Sequence, residues 1–360
     1  MFIKHLELFA GIGGFRRALE LLCQDFGINV ESVGFSEIDS YAIRSYKANF
    51  DTSGEVEMGD IVAFVRDHLN VINLEKFNLL SGGFPCQSFS MMGKQRGFRD
   101  MRGNVFFQII EIMRVKKPKV VLLENVKNII THNGGKTIEV VVEAIKEAGY
   151  PHVYYDIFNS RDFSIAQNRN RVYILALRDK PVGKFEFTNK VVLSSFDKIK
   201  KKTTLVKHRS TFEVLDKYVD EKYYLSEMIK PTILADGSKN FKSKSSIDPI
   251  VARPLTATMA KMHRACQDNY FSDDYIYHGS PEEYAQLVFT KEELTQKRIR
   301  RLTPKEAFIL QGFCERFYRN AKDAGVSDSQ LYKQAGNAVT VNTVYAILQY
   351  VLVEKKILEV

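Results

Sequence analysis

The sequence predicts an α/β protein with a mostly parallel sheet covered by helices on both faces, followed by a smaller, irregular domain. Three observations support this. Over the first 180 residues, short apolar runs alternate with segments whose apolar residues recur every three or four positions. After Asp179 this alternation stops and the chain becomes polar. A length of 360 residues allows two domains, or one large domain with an insertion.

The elements can be placed in chain order. Six strands are predicted, at 3–9, 32–36, 77–81, 119–123, 153–158 and 171–177. Four amphipathic helices are predicted between them, at 16–23, 40–49, 104–115 and 136–148. An apolar helical pattern returns at 339–352, so we expect the C-terminus to pack onto the first domain. The predicted domains are therefore 1–186 with 328–360, and 187–327.

The composition excludes several classes of protein. With 45% hydrophobic and 26% charged residues, and no run near the ~18 apolar residues of a membrane span, a bilayer protein is not expected. The N-terminus lacks the features of an export signal, which predicts a cytoplasmic protein. The four cysteines form no CxxC pair and the seven histidines show no ligand spacing, so we expect no disulfide framework and no metal site.

The charge favours a polyanionic partner. The net charge is +9, and residues 189–260 contain fourteen basic and eight acidic residues, which is most of the excess. A lysine-rich run is also what an ordinary solvated surface presents, so this alternative stays open.

A glycine-rich turn follows the first predicted strand and opens a helix. The segment 6–15 reads LELFAGIGGF, a GxGG turn that lets backbone approach a nucleotide-like ligand without a pyrophosphate. Glu37 ends the second strand, where it can hold a ribose diol. A plain tight turn is the alternative.

Three further motifs lie beside predicted strands: the first two fall at the carboxyl edge of the predicted sheet, and the third precedes the last strand. Cys86, in GGFPCQSFS, is placed as a nucleophile, although isolated cysteines are more often inert. Glu124, in LLENV, is placed as a proton donor to a ring nitrogen, or else it caps the next helix. Arg169 and Arg171, in QNRNR, can clamp an oxygen or a phosphate.

In this order, the motifs strongly resemble those of the DNA (cytosine-5) methyltransferases of bacterial restriction-modification systems. The resemblance covers the first 180 or so residues and the last 60. It extends to GDI at 59–61, RRLTPKE at 300–306, QGF at 311–313 and QAGNAV at 334–339. It implies a Rossmann-like S-adenosylmethionine domain and a target-recognition domain. The implied reaction methylates C5 of a cytosine flipped out of a specific short duplex DNA sequence, through a covalent bond between Cys86 and C6.

The family's roles can be carried onto matching positions. The resemblance implies a catalytic set of Cys86, Glu124, Arg169 and Arg171, with Arg169 orienting the reacting group. It implies an S-adenosylmethionine pocket formed by Phe9, Gly11, Ile12, Gly13, Gly14, Glu37, Ile38, Asp60, Ile61, Pro85, Asn337 and Val339.

DNA contacts are expected from two regions. The segment 87–103 resembles the family's mobile catalytic loop and supplies Gln87, Ser90, Lys94, Arg96 and Arg99. The variable region 233–274 is expected to read bases and includes Arg253, Thr256, Thr258, Lys261 and His263. Ordinary loop chemistry remains the alternative for this second set.

Some features depart from the family pattern or stay open. SIAQ stands at 164–167, where Gly-x-Pro-Gln is common, and Lys305 replaces a usual arginine. The alternatives are a tRNA cytosine-5 methyltransferase and a non-catalytic DNA-binding relative, whereas a nicotinamide-dependent dehydrogenase fits the motifs poorly. We expect a monomer, and the sequence leaves open whether a cognate restriction endonuclease acts on the same site.

Overall fold

The computed structural model describes residues 1–85, 105–237 and 243–359. The chain divides into two compact units. The first unit comprises Met1–Asn159, Asn170–Thr204 and Val339–Val360, and the second comprises Ser160–Arg169 and Leu205–Ala338. The assignment of 1–186 with 328–360 to catalysis, and of 187–327 to target recognition, stays a prediction.

A seven-stranded sheet forms the centre of the first unit. Its strands are β1 (Phe2–Leu8), β2 (Asn29–Ser36), β3 (Val56–Glu57), β4 (Leu79–Gly83), β5 (Val120–Val126), β6 (His152–Asn159) and β7 (Asn170–Leu177). The strand order is β3-β2-β1-β4-β5-β7-β6, and every neighbouring pair is parallel except the two pairs made by β7. The predicted α/β class with a mostly parallel sheet is confirmed. The order reverses between β1 and β4, and ligands of such sheets bind beyond the carboxyl ends of the strands at that point.

Fifteen helices of the described chain surround this sheet or build the second unit. They are α1 (Gly14–Phe26), α2 (Ser40–Asn49), α3 (Ile61–Arg66), α4 (His68–Asn73), α5 (Val105–Lys116), α6 (Lys136–Glu147), α7 (Asn189–Ile199), α8 (Lys230–Leu234), α9 (Asp273–Tyr277), α10 (Pro281–Tyr284), α11 (Lys291–Gln296), α12 (Pro304–Ile309), α13 (Glu315–Asp323), α14 (Asp328–Asn337) and α15 (Val341–Leu348). Helix α15 continues into a π-helical segment, Gln349–Glu354.

The first unit's helices begin and end at residues suited to those positions. Asp39 accepts hydrogen bonds from the backbone N–H groups of Tyr41 and Ala42 and so caps α2. Gly27 ends α1 in the left-handed conformation (φ 64°), which costs a glycine little. Helix α15 packs against α1, which confirms that the C-terminus returns to the first domain.

The second unit is irregular and contains little sheet. Strands β8 (Tyr270–Ser272) and β9 (Ile299–Arg301) form an antiparallel pair beside a small apolar core. Arg300 and Glu306, both fully buried, form an ion pair at 2.7 Å, and Glu306 also completes a capping box with Thr303 at the start of α12. Removing either partner would strand a buried charge, so we expect the pair to be needed for stability.

One helical stretch of the described chain, Asp328–Glu354, is long and apolar enough to cross a membrane by length and composition alone. However, 89% of its apolar window is buried within the protein, as expected of a core helix. Within the ranges that the structure describes, no group of three or more His, Cys, Asp or Glu side chains could hold a metal ion.

Candidate active site at the carboxyl edge of the sheet

The glycine-rich turn joins β1 to α1 through several left-handed residues. Phe9, Gly11 and Gly13 have φ values of 53°, 55° and 83°. A Cβ added to Gly14 would lie 2.5 Å from Cγ2 of Val339, so any larger residue there would force Val339 to shift. The structure therefore brings together two predicted cofactor residues from opposite ends of the chain.

Glu37 ties the end of β2 to this turn. Its carboxylate accepts from the backbone N–H of Gly11 at 2.8 Å and from those of Ile38 and Asp39 at 2.8 and 2.9 Å. The neighbouring Ile38 side chain is 76% exposed, although it is apolar. An oriented carboxylate beside an open apolar side chain suits the ribose and adenine of a nucleoside, and so the residues fit S-adenosylmethionine.

Asp60 and Ile61 follow β3, beside the end of β2. The Asp60 carboxylate caps α3 by accepting from the backbone N–H of Val62 at 2.9 Å, whereas Ile61 is buried. The Ser36 hydroxyl donates to the carbonyl of Gly59 at 3.0 Å. This bond holds the predicted GDI motif against the end of β2.

The sequence did not predict a buried polar network that links Glu7, Arg16, Tyr46 and Glu55. Glu7 on β1 is fully buried and accepts from the Tyr46 hydroxyl at 3.1 Å and from the Arg16 backbone N–H at 3.4 Å. The Arg16 guanidinium donates to the Tyr46 hydroxyl and to Glu55, at 3.3 and 2.7 Å. Burial raises the pKa of Glu7 to about 8, although Arg16 opposes this. The only signal in the sequence was an acidic residue in an apolar strand.

Glu124 lies near the end of β5 and pairs with Arg171 on β7. The Arg171 Nε atom is 3.0 Å from Oε1 of Glu124. The parallel pairing places Glu124 beside Gly83 of β4, where an added Cβ would lie 3.1 Å from Oε2 of Glu124. The Asn125 amide donates to the carbonyl of Phe84 at 2.8 Å and so fixes the backbone that leads out of β4.

Arg169 belongs to the second unit and is 3% exposed. Its guanidinium donates to the carbonyls of Leu255 at 2.8 Å and of Gly336 and Ala338 at 3.0 Å. These contacts favour a structural role, and its orienting of the reacting group stays a prediction. The motif QNRNR gave no signal that its two arginines would make such different contacts.

The remaining predicted residues fall into three groups. Ile12 is buried, Pro85 is exposed, and Asn337 lies at the end of α14. Six predicted residues lie outside the described residues, namely Cys86, Gln87, Ser90, Lys94, Arg96 and Arg99. In the second unit, Thr256 and Lys261 are exposed, whereas Arg253 donates to the backbone and side-chain oxygens of Ser246 at 3.1 and 2.6 Å.

Comparison with known proteins agrees with this geometry. Residues 3–352 match the family described as C-5 cytosine-specific DNA methylase. The type II methyltransferase M.NlaX of Neisseria lactamica is 34% identical over 96% of this chain and 95% of its own length. The type II methyltransferase M1.ScrFI of Lactococcus lactis subsp. cremoris is 35% identical over 97% of this chain and 78% of its own. The orphan methyltransferase M.SPRI of Bacillus phage SPR is 30% identical over 96% and 97%.

Solved structures show the same fold. The Entamoeba histolytica methyltransferase EhMeth has a TM-score of 0.69 at 19% identity, covering 98% of this chain and 99% of its own. The S. pombe Dnmt2 methyltransferase also has a TM-score of 0.69 at 19% identity, covering 97% and 98%. The family match over nearly the whole chain shows that this protein belongs to the C-5 cytosine-specific DNA methylases and is a methyltransferase of the restriction-modification type.

Proposed function

We propose that the protein transfers a methyl group from S-adenosylmethionine to C5 of a cytosine flipped out of a specific short duplex DNA sequence. The observation that carries this proposal is the Glu124–Arg171 ion pair at 3.0 Å, beside the strand end that leads through Pro85 to Cys86. The pair supports the proposal because it places the expected proton-transfer residue and a cation at the strand ends, and Cys86 of the family's motif follows β4 in the sequence.

The cofactor side of the proposal rests on the glycine-rich turn. Glu37 would accept hydrogen bonds from the ribose hydroxyls, and Ile38 would pack on the adenine. Asp60 already caps α3 through one oxygen, Oδ1, so its other oxygen would take the adenine amine. Asn337 and Val339 complete the proposed set.

The chemistry assigned to the chain's own residues begins at Cys86. Its thiolate adds to C6 of the cytosine, forming a C–S bond and moving the ring electrons towards C5. In its protonated form Glu124 donates to N3 and so stabilises the electron-rich ring. This requires the carboxylate, ion-paired with Arg171 in the free protein, to take up a proton when the cytosine binds. S-adenosylmethionine supplies the methyl group that C5 accepts. Loss of the C5 proton to a base then returns the ring electrons, and the C–S bond breaks to release Cys86.

Flipping is required because C5 and C6 are stacked inside a duplex and cannot meet a thiol there. The basic segment 189–260 would bind the phosphate backbone, and the second unit would supply the base contacts. A cognate restriction endonuclease acting on the same sequence, and a monomeric state, belong to the proposal. The relatives named type II methyltransferases support the proposal of a cognate endonuclease. The relative named an orphan methyltransferase supports the alternative, a methyltransferase without such a partner.

The test is methyl transfer from labelled S-adenosylmethionine to unmethylated duplex DNA of mixed sequence, followed by bisulfite sequencing. We expect protected cytosines in one short repeated context. The Cys86→Ala variant should lose transfer and still bind S-adenosylmethionine, measured by calorimetry. Label in tRNA but not in duplex DNA, or turnover by Cys86→Ala, would contradict the proposal.

A further inference from the structure

Residues 253–269 of the second unit form a closed loop, here called the recognition loop. Asn269 closes it by accepting from the backbone N–H of Arg253 at 2.8 Å and donating to its carbonyl at 3.2 Å. Inside it, a 3₁₀ turn at Met259–Lys261 is followed by Met262 with φ 53°. The loop is therefore held in one shape by its own bonds.

Asp268 holds the His263 side chain of this loop. Its Nδ1 atom and its backbone N–H lie 3.1 and 2.9 Å from the same oxygen of Asp268, which is 6% exposed. The Tyr270 hydroxyl donates to the His263 carbonyl at 2.6 Å. Both the ring and its backbone are therefore held in place.

The bond to Asp268 also determines which ring nitrogen is available. A carboxylate only accepts, so Nδ1 carries a proton towards Asp268, and in the neutral imidazole the lone pair is then on Nε2. Within the described chain Nε2 has no hydrogen-bond partner, and the His263 side chain is 32% exposed. An oriented ring nitrogen on a partly exposed side chain is what hydrogen bonding to a base edge requires.

The start of the recognition loop lies against the end of α14. A Cβ added to Gly336 would lie 2.2 Å from the carbonyl carbon of Thr256, so the two backbones touch. The Arg169 guanidinium joins them further by binding the carbonyls of Leu255 and Gly336. These contacts fix the start of the loop on a helix of the second unit itself.

Other polar side chains of the loop suit different tasks. The Arg253 guanidinium donates to Ser246, and burial lowers its pKa, which is what a structural arginine shows. Lys261 is exposed on a flexible stem and suits a phosphate, which carries no sequence information. His263 combines a fixed ring with an available acceptor.

We propose that His263 reads one base of the target sequence, with Nε2 accepting from the exocyclic amine of a cytosine or an adenine in the major groove. Asp268 is the positioning residue that holds the ring in this tautomer. The inference rests on the proposed function and identifies a residue that selects the sequence.

The experiment compares wild type and His263→Ala on a library of duplexes randomised around the methylated cytosine, read by bisulfite sequencing. We expect the variant to lose preference at one position, by roughly 5- to 150-fold, the discrimination of one good base contact, and to keep the others. Gln267→Ala, an exposed position of the same loop, should keep the wild-type profile and rate. Lys261→Ala should slow methylation of all sequences alike.

A second measurement uses wild-type protein and therefore still tests the proposal if His263→Ala does not fold. A duplex that lacks the exocyclic amine at the identified position, with purine replacing adenine or pyrimidin-2-one replacing cytosine, should lose rate by the same factor. The same analogue should cost His263→Ala nothing further. An active His263→Ala with an unchanged profile, or a requirement for guanine or thymine at that position, would overturn the inference. Absence of transfer to duplex DNA by wild type would overturn the proposed function instead.

Discussion

Two arginines only two positions apart make contacts of different kinds. Arg171 pairs with the Glu124 carboxylate at the carboxyl edge of the sheet, whereas Arg169 is buried and donates to three backbone carbonyls. A guanidinium that satisfies buried carbonyls stabilises the fold, because each carbonyl left without a donor costs about 1–3 kcal/mol.

We therefore expect one conservative substitution to lower the rate of methyl transfer and the other to lower the stability of the fold. Arg171→Lys should slow methyl transfer by roughly 10²-fold or more, the scale of a disturbed proton-transfer group, with little change in the free energy of unfolding. Arg169→Lys should lower the free energy of unfolding by about 1–3 kcal/mol. Single-turnover rates and urea denaturation separate the two. A large rate loss in Arg169→Lys at unchanged stability would instead assign Arg169 to the chemistry.

Glu7 should make the stability of the protein depend on pH. Burial raises its pKa in the folded state from 4.5 to about 8, so between these values the folded state holds a proton that the unfolded state has lost. The stabilisation is complete below pH 4.5 and is lost as pH rises through 8. His5 affects stability in a lower pH range. Burial lowers its pKa from 6.5 to about 3, so its contribution to the free energy of unfolding changes with pH only below about pH 6.5.

We expect the free energy of unfolding of wild type and of Glu7→Gln to depend differently on pH between pH 6.5 and 8. Wild type should lose up to about 1.4 kcal/mol of unfolding free energy per pH unit more than Glu7→Gln, which cannot titrate. Glu20→Gln, the same charge change at a partly exposed carboxyl that also contacts Arg16, should keep the wild-type slope. Parallel curves for wild type and Glu7→Gln in urea denaturation would show that Glu7 is ionised across this range.

At the scale of elements, the glycines at the two ends of α1 have different functions. Gly14 begins the helix with no room for a Cβ beside Val339, whereas Gly27 ends it with nothing within 4 Å and a φ of 64°. Gly14→Ala should push Val339 away and weaken S-adenosylmethionine binding by at least roughly 10-fold, since a displacement of an ångström disturbs a preorganised site. Gly27→Ala should cost about 1 kcal/mol of stability and leave binding unchanged. Calorimetry on both variants tests this, and equal affinities would mean that Val339 does not line the pocket.

Most helices and strands of the first unit could be predicted because their formation depends mainly on the local sequence. The six predicted strands and the four amphipathic helices fall where apolar periodicity placed them, because each of these elements buries apolar residues. The antiparallel direction of β7 was not predicted, since a buried strand has the same apolar pattern whichever way it runs. For the same reason the Glu124–Arg171 pair was not foreseen, because it depends on the register between β5 and β7.

Contacts between residues far apart in the sequence could also not be predicted from the motifs. Glu37 was expected to face a ribose, but its bond to the Gly11 backbone depends on how β2 ends beside the turn. The Arg169 contacts with Leu255 and Gly336 join segments 86 and 167 residues away. Only the folded chain brings such groups together.

At the scale of the whole molecule, charge is distributed unevenly along the chain. The excess of basic residues is concentrated in 189–260, which begins at α7 in the first unit and extends through much of the second. Lys200, Lys201 and Lys202 form a 3₁₀ turn directly after α7, and the last two are exposed. If this segment binds the DNA backbone, it contributes affinity that is independent of sequence and weakened by salt.

We therefore expect replacement of Lys200, Lys201 and Lys202 by Gln to weaken duplex binding alike for target and non-target sequences. The slope of log K against log salt should become shallower by up to about 2.7, because each lost phosphate contact contributes about 0.9. The base preferences and S-adenosylmethionine affinity should stay as in wild type. Replacing Lys136, Lys146 and Lys180, three exposed lysines outside the segment, makes the same charge change and should leave the slope much closer to wild type. Equal slopes for the two triple variants in a salt titration would show that only the net charge matters and that the basic segment is an ordinary solvated surface.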